Sequence, residues 1–270
     1  EGNDARSRCD QHNIRIISVE KNGSTAFAVY GYMNRGAHEG EVGVDIYYYD
    51  IEKNVVQEKA FIPSTKSFAI AEEELGKMVY YNQDQNLLYI LAGGKFYKID
   101  LTKDEQTVLA KNLEEGQYTV SADGHLIAYQ TSGTINTAQE IKVLNLKTDE
   151  ENAVAAKSGE AIRPLGFIGS DFVYGYLRQE DVGHTAAGGE LFPMYELEIR
   201  NSENEVMKTY SADKIYISDV FIEENMMTLN RVVKSGETYT VTSQDYISSN
   251  EEKKTKSITL EAFSTDLKEK

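Results

Sequence analysis

Apolar and polar positions switch in short runs along this chain, with no run long enough to suggest a helix. Tyr118 to Ala156, YTVSADGHLIAYQTSGTINTAQEIKVLNLKTDEENAVAA, holds one complete unit of the pattern. Tyr118 to Ser121 is β-prone, and Asp123-Gly124 is a two-residue hairpin signal because a type I′ turn needs φ > 0 at both central positions. His125 to Tyr129 is apolar enough for a strand covered on both faces. After the polar loop Thr131 to Glu140, Ile141 to Leu146 alternates and so has one solvated face. Lys147 to Glu150 turns the chain, and Ala153 to Ala156 is a weak fourth strand. Four such antiparallel strands make one propeller-type blade.

The rest of the chain reads as imperfect copies. The units are 14–61, 77–110, 118–156, 163–211 and 215–263, inside a single domain 14–270 that follows a loose N-terminal segment, 1–13. The first has strands Ile14 to Val19, Thr25 to Tyr32, Val42 to Tyr49 and Val55 to Phe61, with a hairpin signal at Asn22-Gly23. The fifth has Ile215 to Glu223, Met226 to Val233, Tyr239 to Asp245 and Ser257 to Phe263. Third strands begin near Ile46, Phe96, Ile141, Tyr195 and Tyr239, separated by roughly 45 to 55 residues, the spacing of propeller blades with some long loops. Ile70 to Gly76 could form one helical turn between the first two units. No segment keeps a 3.6-residue period over three turns. The expectation is an all-β chain, a β-propeller of about five four-stranded antiparallel blades, alone or within a larger ring; a two-sheet sandwich or an array of meanders is the competing arrangement.

At Ser121-Ala122-Asp123-Gly124, followed by Leu126 to Tyr129, the chain resembles the blades of TolB-like and WD40-like propellers. No Trp-Asp pair ends a third strand, as the WD40 subtype would require. The stretches GYMNRGAHEGEVGV, FIPSTKSF, RPLGFIGSDFVYG and FPMYELEIRNSE are similar to an uncharacterised family of bacterial cell-envelope propeller proteins, often lipoproteins or membrane-anchored. That resemblance implies fold and an extracytoplasmic location, with an anchor upstream, and carries no reaction or ligand.

Composition narrows the function classes. In 270 residues there are 44 acidic and 28 basic side chains, a net charge of −16. No basic stripe is present to neutralise phosphates, so no nucleic-acid partner is expected. No run of about 18 apolar residues spans a membrane. The single cysteine, Cys9, rules out an internal disulfide. The four histidines, His12, His38, His125 and His184, form no metal-ligand spacing, so neither a metal nor another cofactor is expected. There is no G-x-S-x-G elbow, and Gly93-Gly94-Lys95 reads as a hairpin turn because no helix opens after it. Asp213 and Asp219 are the carboxylates to inspect for glycoside hydrolysis. The Tyr47-Tyr48-Tyr49 stripe reads as strand packing.

Two long second-to-third-strand loops stand out, and loops on rigid scaffolds usually carry function. Met33 to Glu41 offers Asn34, Arg35, His38 and Glu39. Arg178 to Pro193 offers Arg178, Glu180, Asp181 and His184. If both project from one face they assemble a polar ligand site. The expectation is a non-enzymatic extracytoplasmic binding or scaffolding module for a protein or envelope polymer. A propeller glycoside hydrolase and an extracytoplasmic sensor domain are the alternatives.

Overall fold

The computed structural model describes residues 12–64, 78–103 and 105–249. Cys9, the Ile70 to Gly76 turn and the Ser257 to Phe263 strand lie outside the described residues. The described chain is all-β. Strands β1 (His12–Val19), β2 (Thr25–Tyr32), β3 (Val42–Asp50) and β4 (Val55–Ser64) form an antiparallel meander. So do β5 (Met78–Asn82), β6 (Leu87–Ala92), β7 (Lys95–Asp100) and β8 (Glu105–Ala110), and then β9 (Tyr118–Val120), β10 (Leu126–Gln130), β11 (Glu140–Asn145) and β12 (Glu150–Ala155). The first strand therefore starts at His12, two residues inside the segment expected to be loose.

The turn chemistry repeats with the sheets. Where the third strand of each of the first four units ends, an Asp or Asn side chain accepts backbone N–H groups of the turn that follows. Asp50 Oδ1 accepts from Glu52 and Lys53, and Asp100 Oδ1 from Thr102 and Lys103. Asn145 Oδ1 accepts from Lys147 and Thr148, and Asn201 Oδ1 from Glu203 and Glu205. A short polar side chain bonding two residues ahead pre-forms a turn. Hairpins form at both Gly signals, but not as two-residue type I′ turns: Gly124 N–H donates to the Ser121 carbonyl at 2.9 Å and Gly23 N–H to the Glu20 carbonyl at 3.0 Å, so the central residues are Ala122-Asp123 and Lys21-Asn22, and only the glycines that follow (φ 77° and 94°) take positive φ.

The fourth and fifth units are joined. β13 (Ala161–Ile168), β14 (Asp171–Leu177), β17 (Met194–Arg200) and β18 (Val206–Tyr210) make the fourth meander. β19 (Ile215–Glu223) and β20 (Met226–Ser235) open the fifth, and one pairing, Met194 with Ile217, merges the two into a ten-stranded sheet. Two expectations are corrected here. The third strand of the fifth unit is not continuous: β21 (Thr238–Val241) pairs with the second half of β20, and β22 (Asp245–Ser248) with the first half. The break at 242–244 has a cause, since the Arg231 guanidinium donates to the Ser243 carbonyl at 2.7 Å and to its hydroxyl at 2.8 Å, while Gln244 Nε2 reaches Asn230 at 2.8 Å. The Arg178 to Pro193 stretch is not a plain loop either. It holds a 3-10 turn, Gln179–Asp181, and the hairpin of β15 (Gly183–Thr185) and β16 (Glu190–Leu191), and β15 pairs in parallel with β21.

The core is a series of face-to-face interfaces between successive sheets. Ala26, Ala28, Val44 and Ile46 of the first sheet pack on Leu88, Ile90 and Ala92 of the second. The alternate residues of β6, Leu87, Tyr89 and Leu91, pack on Ile127, Tyr129 and Leu144 of the third. The other residues of β10, Leu126 and Ala128, pack on Phe172, Tyr174 and Tyr176 of β14. Val173 and Leu177 then face Ile217, Met227 and Leu229 of the fifth. With a side-chain period of two, each central strand serves one interface with its odd residues and the next with its even ones. Sequential meanders stacked in this way follow the β-propeller plan.

Candidate functional site

The first candidate loop is shaped by its ends. Met33 N–H donates to the Glu41 carbonyl and Gly40 N–H to the Met33 carbonyl, both at 2.8 Å. Gly36 and Gly40, at φ 90° and 92°, take backbone angles that a side chain would strain. Asn34 is half-buried, and Arg35 and Glu39 are exposed. His38 turns back onto the first sheet. Its ring stacks on Phe61 at 3.8 Å, with Nδ1 3.3 Å from Glu41 and Nε2 3.0 Å from Glu58. Desolvation works against the imidazolium, but the hydrogen bonds to Glu58 and Glu41 outweigh it, and the pKa lies above the ordinary histidine value.

Under that ring lies a residue that sequence reasoning passed over. Asp45, on β3, is 2% exposed. Tyr47 Oη donates to Asp45 Oδ2 at 2.5 Å, and Oδ1 is buried with no hydrogen-bond partner among the described residues. Burial pushes the carboxyl up to about 6; the Tyr47 hydrogen bond lowers it, nearby Glu58 raises it further and His38 pulls it down. In the alternation VGVDIYYYD the aspartate occupies a position indistinguishable from a solvated one.

The second candidate stretch is anchored elsewhere. Arg178 lies over the Tyr195 ring at 3.6 Å and donates from Nε to Glu160 at 3.0 Å. Tyr195 Oη also donates to Glu160, at 2.5 Å, and Lys157 pairs with Glu196 at 2.6 Å while lying 4.3 Å from the Tyr176 ring. Asp181 is 8% exposed and accepts from Tyr216 Oη at 2.9 Å, and its carbonyl accepts from Tyr239 Oη at 2.5 Å. The Glu180 carbonyl accepts from Lys234 Nζ at 3.1 Å. His184 is exposed and its backbone N–H donates to the Glu237 carbonyl at 2.8 Å. Gly183 is required where it stands, because a Cβ would lie 2.5 Å from that carbonyl. Asp181 and Gly183 thus fasten the stretch to the fifth unit. His38 belongs to a network on the first sheet, whereas Arg178, Asp181 and His184 belong to networks on the fourth and fifth.

The remaining candidates are simpler. Asp213 sits in the turn before β19 and Asp219 within that strand, both exposed. Gly93 and Gly94, at φ 57° and 68°, form a hairpin turn. His125 Nδ1 lies 2.7 Å from Asp123 at the hairpin shoulder. Among the described residues there is no group of three or more His, Cys, Asp or Glu that could hold a metal ion, and no helix long and apolar enough to cross a membrane. A groove of about 530 Å³ runs beside Lys98, Asp149 and Asp100, whose charges are paired as Lys98–Asp149 and Lys103–Asp100.

No family model matches this chain, and no curated protein does. Among solved structures it is similar to the tricorn protease, at 13% identity and a TM-score of 0.39, over 83% of this chain and 24% of that one. It is also similar to the β-propeller domain of the trilobed protease from Pyrococcus furiosus, at 10% identity and 0.33, over 84% and 69%. For Porphyromonas gingivalis dipeptidyl peptidase 4 the values are 9% and 0.29, over 83% and 45%. The chain therefore spans less than half the length of two of these three. The propeller plan described above rests on the sheets and their interfaces.

Proposed function

We propose that this chain is a non-enzymatic binding or scaffolding module, built on a propeller of about five blades, that recognises a protein or an envelope polymer outside the cytoplasm. The location rests on the resemblance of its motif stretches alone. The observation that carries the binding reading is the outer face of the first sheet. Cross-strand partners point to the same side of a sheet. Ile14 and Val29, Ile16 and Phe27, Phe27 and Tyr47, and Tyr49 and Val56 are such partners, so they share the face turned away from the second sheet. Ile14, Ile16 and Val56 are 60%, 64% and 53% exposed. A contiguous exposed apolar face on a rigid scaffold marks an interaction surface, and aliphatic side chains favour a protein over a glycan. The sheet supplies order in advance, so binding does not have to pay for it.

A photo-crosslinking residue at position 16, compared with one at the equally exposed Met207 of β18, tests the reading. A partner joined from position 16 but not 207, which then binds the purified chain and loses affinity for Ile16→Asp, supports it. Equal labelling from both positions, or none from either, overturns it. Envelope glycan fragments that shift the resonances of the same face identify the polymer instead.

A further inference from the structure

We propose that Asp45 is the receptor for a cationic side chain, a lysine ammonium or an arginine guanidinium, carried by an apolar strand of a protein partner laid on the outer face of the first sheet. The inference rests on the reading of that face as a binding surface and adds the chemistry it selects.

Asp45 is the residue whose chemistry is incomplete. It is 2% exposed, one oxygen accepts from Tyr47, and the other has no partner among the described residues. Buried polar atoms are normally satisfied, and leaving a carboxylate oxygen unpaired carries a larger penalty than leaving a neutral group unpaired. An incoming N–H donor would remove that penalty, and a charged one would remove most of it.

The groups facing Asp45 leave the cation to come from outside. From β3 there is the Tyr47 hydroxyl, from β4 Glu58, and from the loop His38, behind which stands Glu41. His38 has both ring nitrogens directed at the two glutamates. Lys59 lies over Tyr48, whose side chain packs on the opposite face. Three carboxylates thus face one histidine. The walls suit a cation as well. Phe27 and Tyr47 stack at 5.5 Å beside the carboxylate, Phe61 is its cross-strand partner, and aromatic faces attract ammonium and guanidinium groups. Phe61 lies across Gly43, where a Cβ would come within 2.7 Å of its ring. With a net charge of −16, a basic partner is favoured and a second copy of the chain is not.

The test uses the whole chain with acetyl-Val-Lys-Val-Ile-amide and its norleucine counterpart, followed by calorimetry and by NMR of the Tyr47 and Phe61 rings. At pH 7.5 the lysine peptide should bind at least about tenfold more tightly, as expected when a buried charged acceptor gains its donor. Asp45→Asn should abolish the difference while both peptides keep the norleucine affinity. Tyr47→Phe, which keeps the carboxylate, should preserve it. Lowering the pH through 6 should erase the preference as Asp45 takes up a proton. Equal affinities for the wild-type chain, or a preference that survives in Asp45→Asn, overturns the inference and leaves the apolar face as a general docking surface. Binding of neither peptide, or blockage of the face by self-association in sedimentation, also overturns it; the crosslinking result above then decides the broader reading by itself.

Discussion

The third sheet and the first sheet use the same meander for different ends. In the third, every residue of β10, Leu126 to Gln130, is buried, because a neighbouring sheet lies on each side. In the first, Ala26 and Ala28 of β2 are buried against the second sheet, while Ile14 and Ile16 on the other side are 60% and 64% exposed. The fifth unit repeats this on its own outer side, where Phe221 and Tyr246 are 56% and 57% exposed. Strand chemistry is equally apolar in both places. What differs is whether another described sheet lies against the face: a stacked face converts apolar area into stability, and the outer face of the first sheet keeps it exposed.

The sharpest way to break this comparison is at Tyr129. Its side chain is fully buried, meets Phe96 edge-on at 5.2 Å and lies in the core shared by the second and third sheets. Tyr129→Ala should destabilise by about 3–5 kcal/mol, as large aromatic-to-alanine changes in packed cores do. Denaturant unfolding measures this. A loss under about 1 kcal/mol would mean that the interface is not a packed core. Next comes Gly175 on β14. An added Cβ would lie 2.2 Å from Met194 Sδ and 2.9 Å from Leu197 Cδ2, so Gly175→Ala should cost about 1–3 kcal/mol by overpacking. A neutral result would show that the fourth sheet has slack.

Asp45 sharpens the comparison from the opposite direction, because it is a buried charge on the sheet whose outer apolar face is exposed. Its folded pKa of about 6 lies above the ordinary 3.8, so the folded protein holds this proton more tightly than the unfolded chain does. Stability from this group is therefore full below about pH 4, is lost as pH rises to about 6, and stays low above that. Two pKa units correspond to at most about 3 kcal/mol. Asp45→Asn should stabilise the protein at pH 7.5 by about 1–2 kcal/mol and flatten the profile between pH 4 and 6. Destabilisation at pH 7.5 would show that Oδ1 is satisfied after all.

Much of this architecture was legible in the residues. Asp123-Gly124 and Asn22-Gly23 marked hairpins because few residues tolerate φ > 0, and the all-apolar Leu126 to Tyr129 marked a strand with two covered faces. Less legible features came from side chains acting at a distance. The interrupted strand of the fifth unit depends on Arg231 reaching Ser243, twelve residues on, and the docking of the Arg178 stretch depends on Asp181 meeting Tyr216 and Tyr239. The Asx turn that closes the third strand in four units was written in the sequence at Asp50, Asp100, Asn145 and Asn201, and is recognisable once those strand ends are aligned. Glycine and polar content marked the two candidate loops, and His38 of the first lies close enough to Asp45 to pull its pKa down. Asp45 itself was hidden, because alternation assigns a face but cannot say whether that face is covered.

The smallest expected effect on stability is the most discriminating for function. Ile16 is 64% exposed, so Ile16→Asp removes little buried area, and its stability should stay within about 0.5 kcal/mol of wild type. The same change places a charge in the middle of the outer face, beside Phe27, where any apolar partner must desolvate it. Partner affinity should therefore fall at least about tenfold while the melting temperature barely moves. If affinity and stability fall together, the first sheet's outer face contributes to the fold as the interior faces do, and the division between stacked and available blades fails. If neither moves, the face is available but unused, and the binding surface has to be sought on the exposed outer side of the fifth unit, with Phe221→Asp as the matching substitution.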